Sequence, residues 1–168
     1  MNIFATNICP IKSAQDLDDR RVNKMIVESA QMLSTAVWRK TGRHQEGLYK
    51  PAYTGHPCTK WTARSYENFE WLSLHAISLC ILYTKVYGRV HASEKVIGSC
   101  WRYNHHFPRT GELEEFANCT EYKGPYWGDM TVVERYQKYM NLKWNERDKI
   151  PPTWKYRGPP QWKEEVLR

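Results

Sequence analysis

Apolar residues recur at helical spacing over several stretches of the chain, and no stretch of convincing length alternates with period two. From Ser13 to Lys40 the positions Val22, Met25, Ile26, Ser29, Met32, Leu33, Ala36 and Val37 form one face of an amphipathic helix. Ser13 with Asp16 three residues later resembles a capping box at its start, and Gly42 suits its end. A second long helix is expected from Thr59 to Tyr87, with Trp61, Phe69, Leu72, Ala76, Leu79, Cys80, Tyr83 and Val86 inward and Gly88 as its stop. A shorter helix follows near Ser93 to Tyr103. Thr131 with Glu134 resembles another capping box, opening a helix to about Asn145 through Val132, Tyr136, Met140 and Trp144. Between these lie an extended arm (Met1 to Ile11), a Gly- and Pro-rich loop (Thr41 to Cys58) and an irregular stretch (Phe107 to Tyr126). The pattern predicts an all-α fold and one domain over 1–168: a helical core over 1–149 and a Pro/Trp-rich tail over 150–168 packed on it.

On the first long helix, Arg21, Lys24, Glu28 and Gln31 follow at i, i+3, i+7 and i+10. At about 100° per residue they share one side, at the edge of the apolar stripe. A carboxylate there is half buried and faces cations, which suits acid–base chemistry. A solvated flank with Glu28 paired to Lys24 is the commoner outcome of such a pattern.

Charge narrows the partners. The net charge is +7 with a pI near 9.2, which favours a polyanion such as nucleic acid. No apolar run approaches the ~20 residues of a membrane span, and no leader is visible, so no membrane partner and a cytoplasmic setting are expected. Cys9, Cys58, Cys80, Cys100 and Cys119 are odd in number and scattered, without a C-x-x-C pair, which reads as free thiols in a reducing compartment. Ligand spacing for a metal is absent too, so no metal and no cofactor are expected; a set assembled from distant residues would be invisible at this level. In the tail, Trp154, Tyr156 and Trp162 alternate with Lys155, Arg157 and Lys163. Such a pattern suits base stacking with phosphate neutralisation, and equally suits aromatics packed onto the domain. Lys60 and Arg64, one turn apart beside His56, either grip phosphates or form a solvated basic face.

Three stretches together carry a family resemblance: Leu17-Asp18-Asp19-Arg20-Arg21-Val22-Asn23-Lys24-Met25-Ile26-Val27-Glu28, Gly55-His56-Pro57, and Pro152-Thr153-Trp154-Lys155-Tyr156. The chain resembles the phage pyrimidine-dimer DNA glycosylases of the endonuclease V type, and more closely a group of phage proteins distantly related to them. The resemblance implies an all-α enzyme that removes a damaged or modified pyrimidine from DNA. It implies attack by an N-terminal α-amine on the sugar C1′, with Glu28 as the carboxylate that stabilises the developing cation and shuttles protons. Arg21 stands where the family has a His, Val27 and Gln31 stand where it has Arg, and Asn2 is bulkier than the family's second residue. Bulk at residue 2 normally blocks removal of Met1, so the amine would be that of Met1.

The reading is therefore a DNA N-glycosylase, with or without abasic-site lyase chemistry, acting as a monomer on duplex DNA carrying a damaged or modified base. Met1, Arg21, Glu28 and His56 are its expected catalytic groups. Lys24, Gln31, Lys60, Arg64, Trp154, Lys155 and Tyr156 are its expected nucleic-acid contacts. A non-catalytic nucleic-acid-binding protein on the same scaffold, and a metal-dependent nuclease, stand as alternatives.

Overall fold

The computed structural model describes residues 1–165. The last three residues of the expected tail lie outside that range. Six α-helices carry the fold: α1 (Pro10–Asp16), α2 (Asp19–Thr41), α3 (Pro57–Thr62), α4 (Tyr66–Tyr87), α5 (Glu94–Trp101) and α6 (Val132–Leu142). No strand occurs among the described residues, so the chain is all-α. The pair α2–α4 forms the centre; α1 lies on α4, and α3 and α5 lie on α2. The apolar stripe of α2 is fully buried, from Val22 and Met25 to Ala36 and Val37. No helix among these residues is long and apolar enough to cross a membrane.

Both long helices read from the sequence are broken in the fold, each by a better cap. The first begins at Pro10 and stops at Asp16; Leu17 and Asp18 are extended, and the Asp18 carboxylate caps α2 by accepting from the Arg21 N–H. Ser13 is therefore no cap. Its buried hydroxyl donates to the Phe4 carbonyl and accepts from the Thr6 N–H. The second breaks around Ala63, where Ser65 accepts from the Asn68 N–H and starts α4, while the Asn68 amide donates back to the Trp61 carbonyl. Its first piece starts at Pro57, capped by the His56 ring. α5 is shorter than expected, ending at Trp101. The Thr131–Glu134 capping box forms, but regular helix ends at Leu142 and a wider π-type turn carries Lys143–Arg147.

The N-terminal arm lies inside the fold up to Thr6, and Pro10 and Ile11 already belong to α1. Asn2, Ile3, Phe4, Ala5 and Thr6 are buried. The Asn2 side-chain oxygen accepts from the N–H groups of Ile3 (2.8 Å) and Phe4 (3.1 Å), and this tight turn holds Phe4 at φ 43°, a left-handed conformation that costs a non-glycine residue about 1 kcal/mol or more. Downstream anchors offset that strain: Gln137 donates to the Thr6 carbonyl, and the Thr6 hydroxyl donates to Asp16.

The tail is stapled to the start of α2. Asp19 accepts from the Thr153 hydroxyl, the Lys155 N–H and the Arg157 guanidinium at 2.7–2.9 Å. Buried Trp144 is flanked by Trp162, stacked at 5.4 Å, and by Trp154, edge-on at 5.1 Å. Both of those indoles donate to Asp16, one to its carbonyl and one to its carboxylate.

His75 on α4 is fully buried against Trp71, and its Nδ1 lies 3.1 Å from the Pro10 carbonyl while Nε2 has no partner. Burial pushes the imidazole down to about 4. Because the folded value lies below the unfolded value of about 6.5, the unfolded chain takes the proton first on acidification. Stability should therefore fall as pH drops from about 6.5 towards 4, by about 3 kcal/mol from this group. Urea melts of the wild type and His75→Phe over that window should show the pH slope shrinking in the variant, even though its stability at neutral pH is lower.

Candidate active site

Glu28 lies on α2 at the edge of the buried stripe, with 14% of its side chain exposed. Its Oε2 accepts from the Asn2 backbone N–H at 2.8 Å and lies 3.8 Å from the Met1 α-amine. Its Oε1 lies 3.4 Å from Nζ of Lys24, an exposed side chain one turn earlier. The Met1 side chain is buried, and its sulfur accepts from the Thr59 hydroxyl at 3.6 Å. The amine is thus pinned on both sides: by the thioether seated against α3 and by the turn at Asn2. An α-amine, a half-buried carboxylate and an exposed lysine ammonium meet at one point.

His56 closes this site from the α3 side. Its Nδ1 accepts from the Cys58 N–H at 3.2 Å, which caps α3. Burial lowers the imidazole below its usual value, and the nearby Met1 ammonium lowers it further; Glu28 and the Met1 carbonyl act the other way. Behind His56, Cys58 and Cys119 bring their sulfurs to 3.3 Å. The contact between them holds the Cys119 thiol down and, with burial, pushes Cys58 up. The Cys119 carbonyl accepts from the Asn2 side chain at 3.4 Å, so the cysteine pair and the amine share a wall.

Arg21 does not face Glu28 as the stripe suggested. Its guanidinium is held by Asp18 and, through two bonds of 2.8 and 3.1 Å, by Asp148. Trp144 donates to the same Asp18 carboxylate at 2.8 Å. The reason is electrostatic: a buried carboxylate at the start of α2 needs cationic and N–H partners, and Arg21 is the nearest. Asp19 is likewise committed to the tail. Beside this clamp lies a recess of about 310 Å³ lined by Phe4, Arg20, Arg21, Lys24, Lys143 and Asp148. Lys143 was not singled out in the sequence, because its partner elements lie more than 100 residues away in the chain.

The other expected contacts divide. Gln31 lies one turn beyond Glu28, half buried. Lys60 is exposed; Arg64 is bound to Glu114 at 3.1 Å, and both line a separate recess of about 410 Å³ beyond α3. Trp154 is half buried with its N–H spent on Asp16, so it packs as a tail aromatic instead of standing free for a base. Tyr156 is 60% exposed, with the Lys155 ammonium 4.9 Å from its ring centre. The positions that Asn2 and Cys119 take at this site were not legible in the sequence: an Asx turn in a short arm leaves only a lone Asn as its signal, and Cys119 stands 61 residues from Cys58.

The fold and this centre define an all-α protein with an α-amine set against a helix carboxylate. The family model for pyrimidine dimer DNA glycosylases matches residues 1–85, just over half the chain and the part that holds Met1, Glu28 and His56. The chain belongs to that family. Nothing matches among curated proteins or among solved structures.

The two tail aromatics should separate in mutation. Trp154→Ala removes a packed indole and its hydrogen bond, and should cost about 2–3 kcal/mol of stability. Tyr156→Ala should leave thermal stability nearly unchanged and weaken DNA binding by about 1–3 kcal/mol. Thermal melts and fluorescence anisotropy with duplex DNA on the same preparations check both.

Proposed function

We propose that this chain is a DNA N-glycosylase that releases a damaged or modified pyrimidine through its Met1 α-amine and then cleaves at the abasic site. The observation that carries the reading is the 3.8 Å approach of the Met1 amine to Glu28 Oε2, in a half-buried position fixed by Asn2. A primary α-amine that has given up its proton is a competent nucleophile toward a sugar carbon.

In the proposed reaction the amine nitrogen bonds to C1′ of the target nucleotide as the C1′–N1 bond to the base breaks. The electron pair of that bond leaves with the base. Positive charge builds on the sugar ring, and the Glu28 carboxylate offsets it at short range, as carboxylates do in glycoside hydrolysis. The proton lost by the attacking amine passes to Glu28, which returns it to the departing base. The nitrogen lone pair then expels O4′ from C1′, O4′ takes a proton from solvent through Glu28, and the ring-opened sugar remains linked to Met1 as an imine. Removal of a C2′ proton then expels the 3′ phosphate, and water releases the enzyme.

Substrate reaches this site only if the base leaves the stack. Lys24, Lys143 and Arg20 line the recess beside α2, and in this reading they hold phosphates. Lys60 on α3 and the Lys155–Tyr156 pair on the tail are the further contacts proposed for the nucleic acid. Arg21 serves as a positioning group: it ties α2 to Asp148 and so holds the floor of that recess.

Borohydride with DNA containing an abasic site should trap a covalent adduct with the wild type. Glu28→Gln keeps the size and one oxygen acceptor but removes the charge; it should slow base release by about 10²- to 10⁴-fold while DNA affinity changes little. No adduct, together with no base release from thymine-dimer or other damaged-pyrimidine substrates, would overturn the proposal and leave a DNA-binding protein on a glycosylase scaffold.

A further inference from the structure

The fold assembles a donor set that the proposed glycosylase chemistry does not use. His56, Cys58 and Cys119 each place one donor atom so that all three lie within 4.8 Å of one another. Two of them come from the rigid turn His56-Pro57-Cys58 at the start of α3, and the third comes from the irregular segment before α6. We infer that these three residues bind a thiophilic divalent cation of the zinc class, with its fourth position open to water.

Distance decides between a metal and a cross-link. A disulfide needs sulfurs about 2.05 Å apart. A tetrahedral zinc with Zn–S bonds of about 2.3 Å sets its two sulfurs about 3.8 Å apart. The observed 3.3 Å lies about 0.5 Å short of the zinc geometry and more than 1 Å beyond the disulfide. A small opening of the pair completes the metal geometry, whereas a disulfide needs the two sulfurs to close by more than 1 Å. The donors are also of the right chemical kind. One imidazole and two sulfurs suit zinc-class ions, and oxygen-preferring calcium or magnesium would find no ligands among the three. Two thiolates cancel the charge of a divalent ion, which allows it to sit where Cys58 is buried.

Outer contacts fix the donors in place, as such sites require. The Tyr136 hydroxyl accepts from the Cys119 N–H and itself donates to the Ala117 carbonyl. Cys58 is held in the first turn of α3 by the His56 cap. An ion here would lock segment 117–119 to α3 directly under Asn2, whose amide donates to the Cys119 carbonyl. Its role would be to stiffen the wall that positions the N-terminal arm.

Zinc added alone to untagged, fully reduced protein tests this. One equivalent should bind tightly enough to compete with a chromophoric chelator, raise the melting temperature, and slow alkylation of Cys58 and Cys119 while buried Cys80 and Cys100 are unaffected. Cobalt in its place should give the near-ultraviolet sulfur-to-metal band and the strong visible bands of a tetrahedral thiolate site. Cys119→Ser, which alters a half-exposed side chain, and Cys58→Ala should each weaken zinc binding by about 100-fold or more and abolish the cobalt spectrum. Circular dichroism confirms that each variant is folded before it is scored. Zinc that is not taken up by the reduced wild type, or that binds Cys119→Ser as tightly as the wild type, overturns the inference. None of these readouts depends on glycosylase activity.

Discussion

The Asn2 backbone N–H donates to Glu28 while the side chain of the same residue accepts from the next two backbone N–H groups. This one turn decides where the chain's first nitrogen sits. Without it, a terminal residue would sample solvent, and ordering it would cost conformational entropy of about 1–2 kcal/mol per residue. Here that cost is met by burial of Ile3, Phe4 and Ala5 and by anchors from Ser13, Asp16 and Gln137. The strained backbone at Phe4 is the consequence of turning sharply enough to bring residue 2 onto α2. Folding thus does the positioning in advance, and that prior placement is what an amine needs to act as a nucleophile of high effective concentration.

A second set of charges keeps α2 itself in place. Asp18, Arg21, Asp148 and Trp144 form a largely buried network at its start, and Asp19 fastens the returning tail a residue later. Removing one member of such a network strands the others, typically at a cost of about 3–5 kcal/mol. These acidic residues are consumed by structure. Beside the same recess Lys24 and Arg20 keep exposed heads, where a phosphate backbone can reach them.

The helical periodicity of the sequence carried the fold class, the buried face of α2 and the last capping box, because each of those is local. It carried the edge position of Glu28 for the same reason. It did not carry the breaks before Asp18 and Ser65, where a side-chain cap competes with continuous helix and wins by a margin that apolar spacing does not register. The partner of Arg21 was also out of reach: Asp148 is 127 residues away, and an ion pair at such separation leaves no local trace. The same holds for Cys58 and Cys119. Their scatter suggested free thiols, and only the packing of the 117–119 segment on α3 brings them into contact. Tail aromatics were ambiguous because stacking on a base and packing on Trp144 demand the same side chains.

The central claim is that the nucleophile is the α-nitrogen of the N-terminal residue, held by Glu28. Peptide mapping of the borohydride-fixed adduct tests it most directly, because an imine formed by any amine would be trapped and only its position distinguishes them. Digestion and tandem mass spectrometry should place the reduced sugar remnant on the α-nitrogen of Met1, next to an unmodified Lys24. A remnant on the ε-nitrogen of Lys24 or another lysine, with the α-nitrogen free, would contradict the account.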